Sequence, residues 1–320
     1  RAAADAYQKA IAIKPQIVEA TWNLALIELA EGKFYEGWKH YRYRPSVGRE
    51  IYPLPKAILE ENLTGRSYYL HGEQGLGDEL FFLRFLPLLT ARGAQVQIKP
   101  DPRIKDICSR ALGSNLATEV SPDNNVVAIA DLPFLLNCNE PMRSIVVQPL
   151  EANLRKMKAA LTNAGPPPHL GLTYRAGMKE MGSLYKEAPL EELANVCFEF
   201  PGTIINLQRE TAVGENQRIE QILGDRLRDF TSHNDDLEDM LALMTLLDEY
   251  IGVSNTNMHL RAATGKHARV LVTHPAEYRW MTVGDTSPWF PGFDLYRQSS
   301  DLSWEAAFIK MKSNLKVAYG

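Results

Sequence analysis

Two rhythms of apolar and polar positions divide the chain. Up to residue 44 the pattern is helical, whereas from Arg66 onward short runs rich in β-branched and aromatic residues alternate with helical stretches. That alternation is the signature of parallel sheets with crossover helices. Strands are predicted at 67–72 (S-Y-Y-L-H-G), 96–99, 126–130 and 144–147, with helices near 79–91 and 102–112. After the linker-like A-G-P-P-P-H at 164–169 a second series begins, with strands at 170–174, 203–207, 250–253 and 269–272. Helices at 188–198, 213–223, 236–248 and 256–264 separate them. Residues 45–65, with Pro45, Gly48, Pro53, Pro55 and Gly65, read as a connector. The expected organisation is a helical segment (1–44), the connector (45–65), one Rossmann-like lobe (66–163) and a second (164–320), with a cleft between the lobes. Ligands of such folds sit at the carboxyl ends of strands.

The helical segment repeats. Ala3, Tyr7, Ala10 and Pro15 occupy the small, aromatic, small and proline positions of a tetratricopeptide second helix; Gly37 and Tyr41 return to the first two of them 34 residues later. Asn23 and Leu24 fall in the intervening first helix, and Gly32 and Phe34 at its turn. Small residues let helices approach while the tyrosines fill the space between them. About one and a half repeats form no groove alone, because such arrays generally need about three. The segment is therefore read as the end of a longer array, and a start at Arg1 inside a helix as the mark of a fragment. A plain amphipathic hairpin is the simpler reading of the same residues.

The 320 residues suit about two domains, and 45 % apolar and 23 % charged residues describe an ordinary globular protein. A net charge of -4 argues against nucleic acid as a partner. Cys108, Cys138 and Cys197 are too dispersed for a disulfide framework or a zinc site and read as buried thiols. No apolar run approaches the roughly 18 residues of a membrane span and no signal peptide is evident, so a cytoplasmic location is expected.

Four loops carry candidate chemistry. In H-G-E-Q-G-L-G-D-E-L (71–80), Gly72, Gly75 and Gly77 allow tight turns and close ligand approach ahead of a helix. Asp78 reads either as a helix cap or first-turn carboxylate, worth about 1 kcal/mol, or as a catalytic base. In Y-I-G-V-S-N-T-N-M-H-L (250–260), Ser254, Asn255, Thr256 and Asn257 can cap a helix or present amides and hydroxyls to a diphosphate. His259 lies inside that helix and reads equally as a core histidine. Arg175, Lys179 and Lys186 follow a strand end, where cations neutralise a leaving diphosphate without a metal, or else serve as solvated charge. Tyr278, Trp280, Trp289, Phe290 and Phe293 suit either packing or stacking on a base or sugar. The acidic run 234–239 reads as first-turn charge rather than a metal site, and no metal is assigned.

Taken together, G-E-Q-G-L-G-D with the following R-F-L-P-L-L, and S-N-T-N-M-H-L with its downstream G-K, resemble bacterial tetratricopeptide proteins whose C-terminal region is similar to heptosyltransferases. The resemblance extends more distantly to O-linked N-acetylglucosamine transferases and runs to D-L-Y-R-Q at 294–298. It implies a GT-B fold with an acceptor-side N-terminal lobe and a donor-side C-terminal lobe, the C-terminal segment packing back across the lobes. It also implies metal-independent, inverting transfer from a nucleotide sugar, with no cofactor beyond that substrate. Asp78 then matches the base that deprotonates an acceptor hydroxyl. Lys186, three residues before Pro189, matches a K-x-x-P lysine on donor phosphate, and 254–259 a D-T-x-x-x-H phosphate element; Arg175 and Gln208 join the donor set. Ser254 and Asn255 stand where that element has Asp and Thr, so a donor other than ADP-heptose is compatible. The acceptor is a protein (for instance flagellin or a surface protein) or a glycan, recruited by the repeats. A non-catalytic scaffold binding a protein partner is the competing reading.

Overall fold

A computed structural model describes residues 2–45, 54–113, 125–176 and 186–320. Contacts sort them into two compact units, Arg1–Ile145 with Glu277–Val283, and Val146–Ala276 with Gly284–Gly320. The division falls ahead of the expected lobe boundary at residue 164. It gives the helix Glu151–Ala164 to the second unit and a short late stretch to the first.

In the first unit, helices α1 (Ala2–Ile13), α2 (Val18–Ala30) and α3 (Phe34–Tyr41) precede a three-stranded parallel sheet. Gly37 is what lets α3 lie against α2, since a Cβ there would come within 2.7 Å of the Leu29 side chain. The sheet consists of β1 (Ser67–His71), followed by α4 (Leu76–Phe82) and α5 (Leu86–Ala91), then β2 (Gln95–Lys99), α6 (Lys105–Leu112), β3 (Asn125–Ala128) and α7 (Leu132–Leu135). Strand order β2-β1-β3 puts β1 in the centre, and the glycine-rich loop leaves its carboxyl end. The 144–147 run is not a strand. Val147 donates a backbone bond to Ala263 and Val146 is 54 % exposed; among the described residues the run has no ladder partner despite its β-branched composition.

The second unit opens with α8 (Glu151–Ala164) and continues through β4 (His169–Leu172), α9 (Leu190–Cys197), β5 (Thr203–Asn206), α10 (Glu215–Leu223) and β6 (Leu227–Asp229). Then come α11 (Leu237–Leu246), β7 (Glu249–Val253), α12 (Thr256–Ala263), β8 (Ala268–Val272), β9 (Phe293–Arg297) and α13 (Glu305–Tyr319). Its six parallel strands run in the order β6-β5-β4-β7-β8-β9. This is the doubly wound arrangement, with its topological switch between β4 and β7. Strands β4, β5, β7 and β8 are buried throughout, as a parallel sheet covered on both faces should be, and the charged residues among them, Glu249 and Arg269, pair with each other at 2.9 Å. In the C-terminal helix, Trp304, Phe308, Met311 and Leu315 join the cluster built on α9, Phe200 and Ile219.

The three cysteines are buried free thiols, with burial pushing each up to about 12. The aromatic residues at 278, 280, 289, 290 and 293 are all buried and act in packing. Asp236 caps α11 by accepting from the Glu238 and Asp239 amides, which explains the acidic run. Among the described residues no helix is long and apolar enough to cross a membrane.

Candidate functional site

In the first unit the chain leaves β1 at His71 and turns into α4 within five residues. A Cβ at Gly72 would lie 2.3 Å from Glu79 Oε2, so any side chain there would displace the carboxylate whose Oε2 accepts from the Asp101 amide at 2.9 Å. Burial pushes the Glu79 carboxyl up to about 7. Gln74, not a glycine, takes the left-handed position (φ 70°), whereas Gly75 is the extended helix N-cap (φ -179°) and Gly77 lies in the first turn of α4.

Asp78 falls in that first turn rather than at the cap. Its Oδ1 accepts from Arg279 Nη2, and Arg279 also pairs with Glu277. The Arg279 guanidinium lies 4.6 Å from the Phe81 ring centre and 4.7 Å from that of Tyr278. Burial works against its charge, but Tyr278, Asp78 and Glu277 hold its proton affinity well above the usual range. Asp78 keeps 28 % side-chain exposure against 7 % for Arg279, so the carboxylate is the member of the pair that meets solvent.

In the second unit the neighbouring strand order β5-β4-β7 brings three loops side by side. Gln208, after β5, accepts from the Tyr174 and Arg175 amides (3.0 and 2.8 Å) and donates to the Arg175 and Arg209 carbonyls (3.2 and 2.8 Å). It is 1 % exposed and ties two loops together. Arg175 is paired inside the protein, its Nη1 lying 2.6 Å from Glu215 Oε1 and 3.3 Å from Glu187, while Nη2 reaches the Glu210 carbonyl. Its charge frames the loop rather than pointing outward unmatched. The Ala176 amide donates to the Lys186 carbonyl (2.9 Å), and Arg175 forms an antiparallel bridge with Glu187, which sets Lys186 close to Arg175. Lys179 lies outside the described residues.

Asn255 is the N-cap of α12, its Oδ1 accepting from the Met258 amide at 3.1 Å. Its Nδ2 donates to Thr173 Oγ1 at 3.0 Å, across the β4–β7 switch. Asn257 donates to Asn234, which in turn donates to the Leu207 carbonyl. Thr256 opens the helix, half-buried, while Ser254 is buried. His259 is buried as well and packs edge-on to Phe290, with centroids 5.6 Å apart. The result is a ledge of amide and hydroxyl groups around a helix N-terminus, an arrangement suited to an anion.

Several contributors escaped sequence reading. Thr173, Asn234 and Glu215 lie in segments that read as strand, capping run and helix, where a polar residue signals nothing by itself. Arg279 stands in the aromatic run 274–281, and a cation amid so many rings was the available hint. Glu73 sits within the glycine loop itself.

No family model matches the chain. Protein FlbA of Caulobacter vibrioides is 25 % identical over 91 % of this chain, which spans 54 % of that protein, or about half its length. The fold is similar to a glycosyl transferase family 9 protein from Veillonella parvula (TM-score 0.58, 12 % identity, 80 % of this chain and 99 % of that one). It is similar also to E. coli ADP-heptose lps heptosyltransferase II (TM-score 0.53, 11 % identity, 79 % and 99 %). The two parallel α/β sheets are thus those of a GT-B-type fold.

Proposed function

We propose that the chain is a glycosyltransferase that moves a sugar from a nucleotide diphosphate to an acceptor hydroxyl, by inversion and without a metal. The observation that carries this reading is the polar ledge at the β4–β7 switch, on a fold shared with proteins described as a family 9 glycosyl transferase and a heptosyltransferase. The amides at the start of α12, with Lys186, hold the diphosphate and stabilise its charge as it departs. Gln208, Arg175 and Asn255 keep the loops in register; Ser254, Thr256 and Asn257 complete the ledge, with His259 packing behind it. Asp78 takes the proton of the acceptor hydroxyl as that oxygen attacks the anomeric carbon, and the bond from that carbon to the diphosphate oxygen breaks. The acceptor is a protein or a glycan, and the helical segment, read as tetratricopeptide repeats, recruits it.

Calorimetry against a panel of nucleotide sugars, followed by a donor-hydrolysis assay, tests the reading. Micromolar binding of one donor with turnover supports it. The ion pair between Asp78 and Arg279 favours a second reading, a scaffold that binds a protein partner, because a structural carboxylate makes such a bond. Absence of binding across the whole donor panel would select the scaffold.

A further inference from the structure

The end of α3 is bonded to the loop that carries Asp78. The Tyr41 hydroxyl donates to Gln74 Oε1 at 3.1 Å. Arg44 grips Glu73 with two nitrogens, Nε at 2.9 Å, and reaches Asp131 Oδ1 with Nη1 at 2.6 Å. Glu73 also accepts from the Ala130 amide at 3.3 Å, so one guanidinium joins the helical segment, the glycine loop and the start of α7. The Arg44 side chain is fully buried, and those of Glu73 and Asp131 are 5 % and 1 % exposed.

A buried ion cluster of this kind is an inefficient source of stability, since desolvation cancels much of its attraction and apolar residues of similar volume commonly do as well. What it does supply is a fixed geometry. Only Gly75, Leu76 and Gly77 separate Gln74 from Asp78, and two of the three are glycines that cannot themselves pin the backbone. Gln74 holds a left-handed conformation, unfavourable for a residue with a side chain, and Tyr41 is bonded to it.

The same helix touches the other half of the Asp78 pair. The Tyr41 and Trp38 rings lie 5.7 and 5.9 Å from the ring of Tyr278, the residue before Arg279. Tyr41 therefore braces the loop of the carboxylate through its hydroxyl and the turn of the guanidinium through its ring. We infer that Tyr41 and Arg44, which belong to the helical segment rather than to the α/β sheet, are positioning residues for Asp78. The inference rests on the transferase reading for its kinetic half and on geometry alone for its anchoring half.

The test uses the full chain carrying Tyr41→Phe, which keeps the ring, and separately Arg44→Met. Two measurements are made on each: kcat and donor KM for sugar transfer, and amide hydrogen exchange over residues 72–78. For Tyr41→Phe the expected result is a fall in kcat of about tenfold or more with donor KM unchanged, because small misplacements of a reacting group cost rate rather than donor binding. Faster exchange over 72–78 should accompany it, with the melting temperature nearly unaltered. Unchanged kcat in both variants overturns the positioning role, and so does a rise in donor KM at constant kcat. Should the wild-type chain transfer no sugar, the transferase reading fails on its own. Exchange then decides the anchoring: acceleration confined to 72–78 upholds it, and wild-type rates in that segment refute it. If Arg44→Met does not fold, Tyr41→Phe alone decides.

Discussion

Asp78 and Arg279 stand 201 positions apart in the chain and share an ion pair, the carboxylate facing solvent and the guanidinium buried against Phe81 and Tyr278. Asp78→Asn leaves an amide oxygen to accept from Arg279. Under the proposed transferase function, sugar transfer should fall at least about 100-fold, with donor affinity and the far-ultraviolet circular dichroism spectrum preserved. Wild-type turnover in that variant would remove Asp78 from the reaction. Arg279→Ala is a harsher change that strips a cation from Asp78 and Glu277 together, and chemical denaturation should register a loss of about 3 kcal/mol or more.

Glu79 gives the fold a pH dependence of its own. Burial pushes its carboxyl from an ordinary 4.5 up to about 7, so between those values the folded chain binds a proton that the unfolded chain has released. The associated stability is fully present below about pH 4.5 and is lost as pH rises through 7. Glu79→Gln keeps an acceptor for the Asp101 amide and removes the titration. Its advantage over wild type at pH 8 should be on the order of 2 kcal/mol and should shrink toward pH 5, as read from urea melts across that range. Parallel curves for the two proteins would refute the assignment.

The carboxylate of Glu215 behaves in the opposite sense. Burial raises its affinity for a proton, but bonds from Arg175, the Ala212 amide and Tyr174 more than offset this and hold it below the ordinary carboxylate range. Its contribution is present above the unfolded carboxylate value, about 4.3, and disappears as pH falls through the depressed folded one. Glu215→Ala leaves Arg175 without its main partner and should cost about 3 kcal/mol at pH 7, with a smaller difference from wild type at pH 3. The comparison requires only thermal melts at the two pH values.

At the switch between β4 and β7, Asn255→Ala removes the α12 cap and should cost about 1 kcal/mol. Asn255→Ser retains a capping oxygen and should recover most of that stability. If the ledge binds diphosphate, the alanine variant also binds nucleoside diphosphates more weakly in calorimetry, whereas unaltered affinity would place the ligand elsewhere.

How far the residues announce this structure depends on the range of the interaction. Strands such as T-I-I-N and Y-I-G-V are dense in β-branched or aromatic side chains, and their flanking helices carry a clear period, so both α/β series are legible. The edge elements are not. β6 is only three residues long, and β9 (F-D-L-Y-R) emerges from a Pro- and aromatic-rich run that reads as irregular. The 144–147 run has the composition of a strand but, among the described residues, no strand to pair with. In the candidate site the loops are legible because glycines and capping residues act locally. The fixing partners, Arg279 for Asp78, Arg44 for Glu73 and Glu215 for Arg175, are set by tertiary approach, and a charged residue in sequence does not reveal the one it will meet.

The seven-residue return of Glu277–Val283 to the first unit makes the molecule resistant to modular rearrangement. A recombination event that exchanged everything after Ile145 for a homologous second half would also replace the stretch that brings Tyr278 and Arg279 to Trp38, Phe81 and Asp78. The first unit thus depends on seven residues that the chain supplies only after most of the second unit, so the first unit cut out at Ile145 would lack part of its own core.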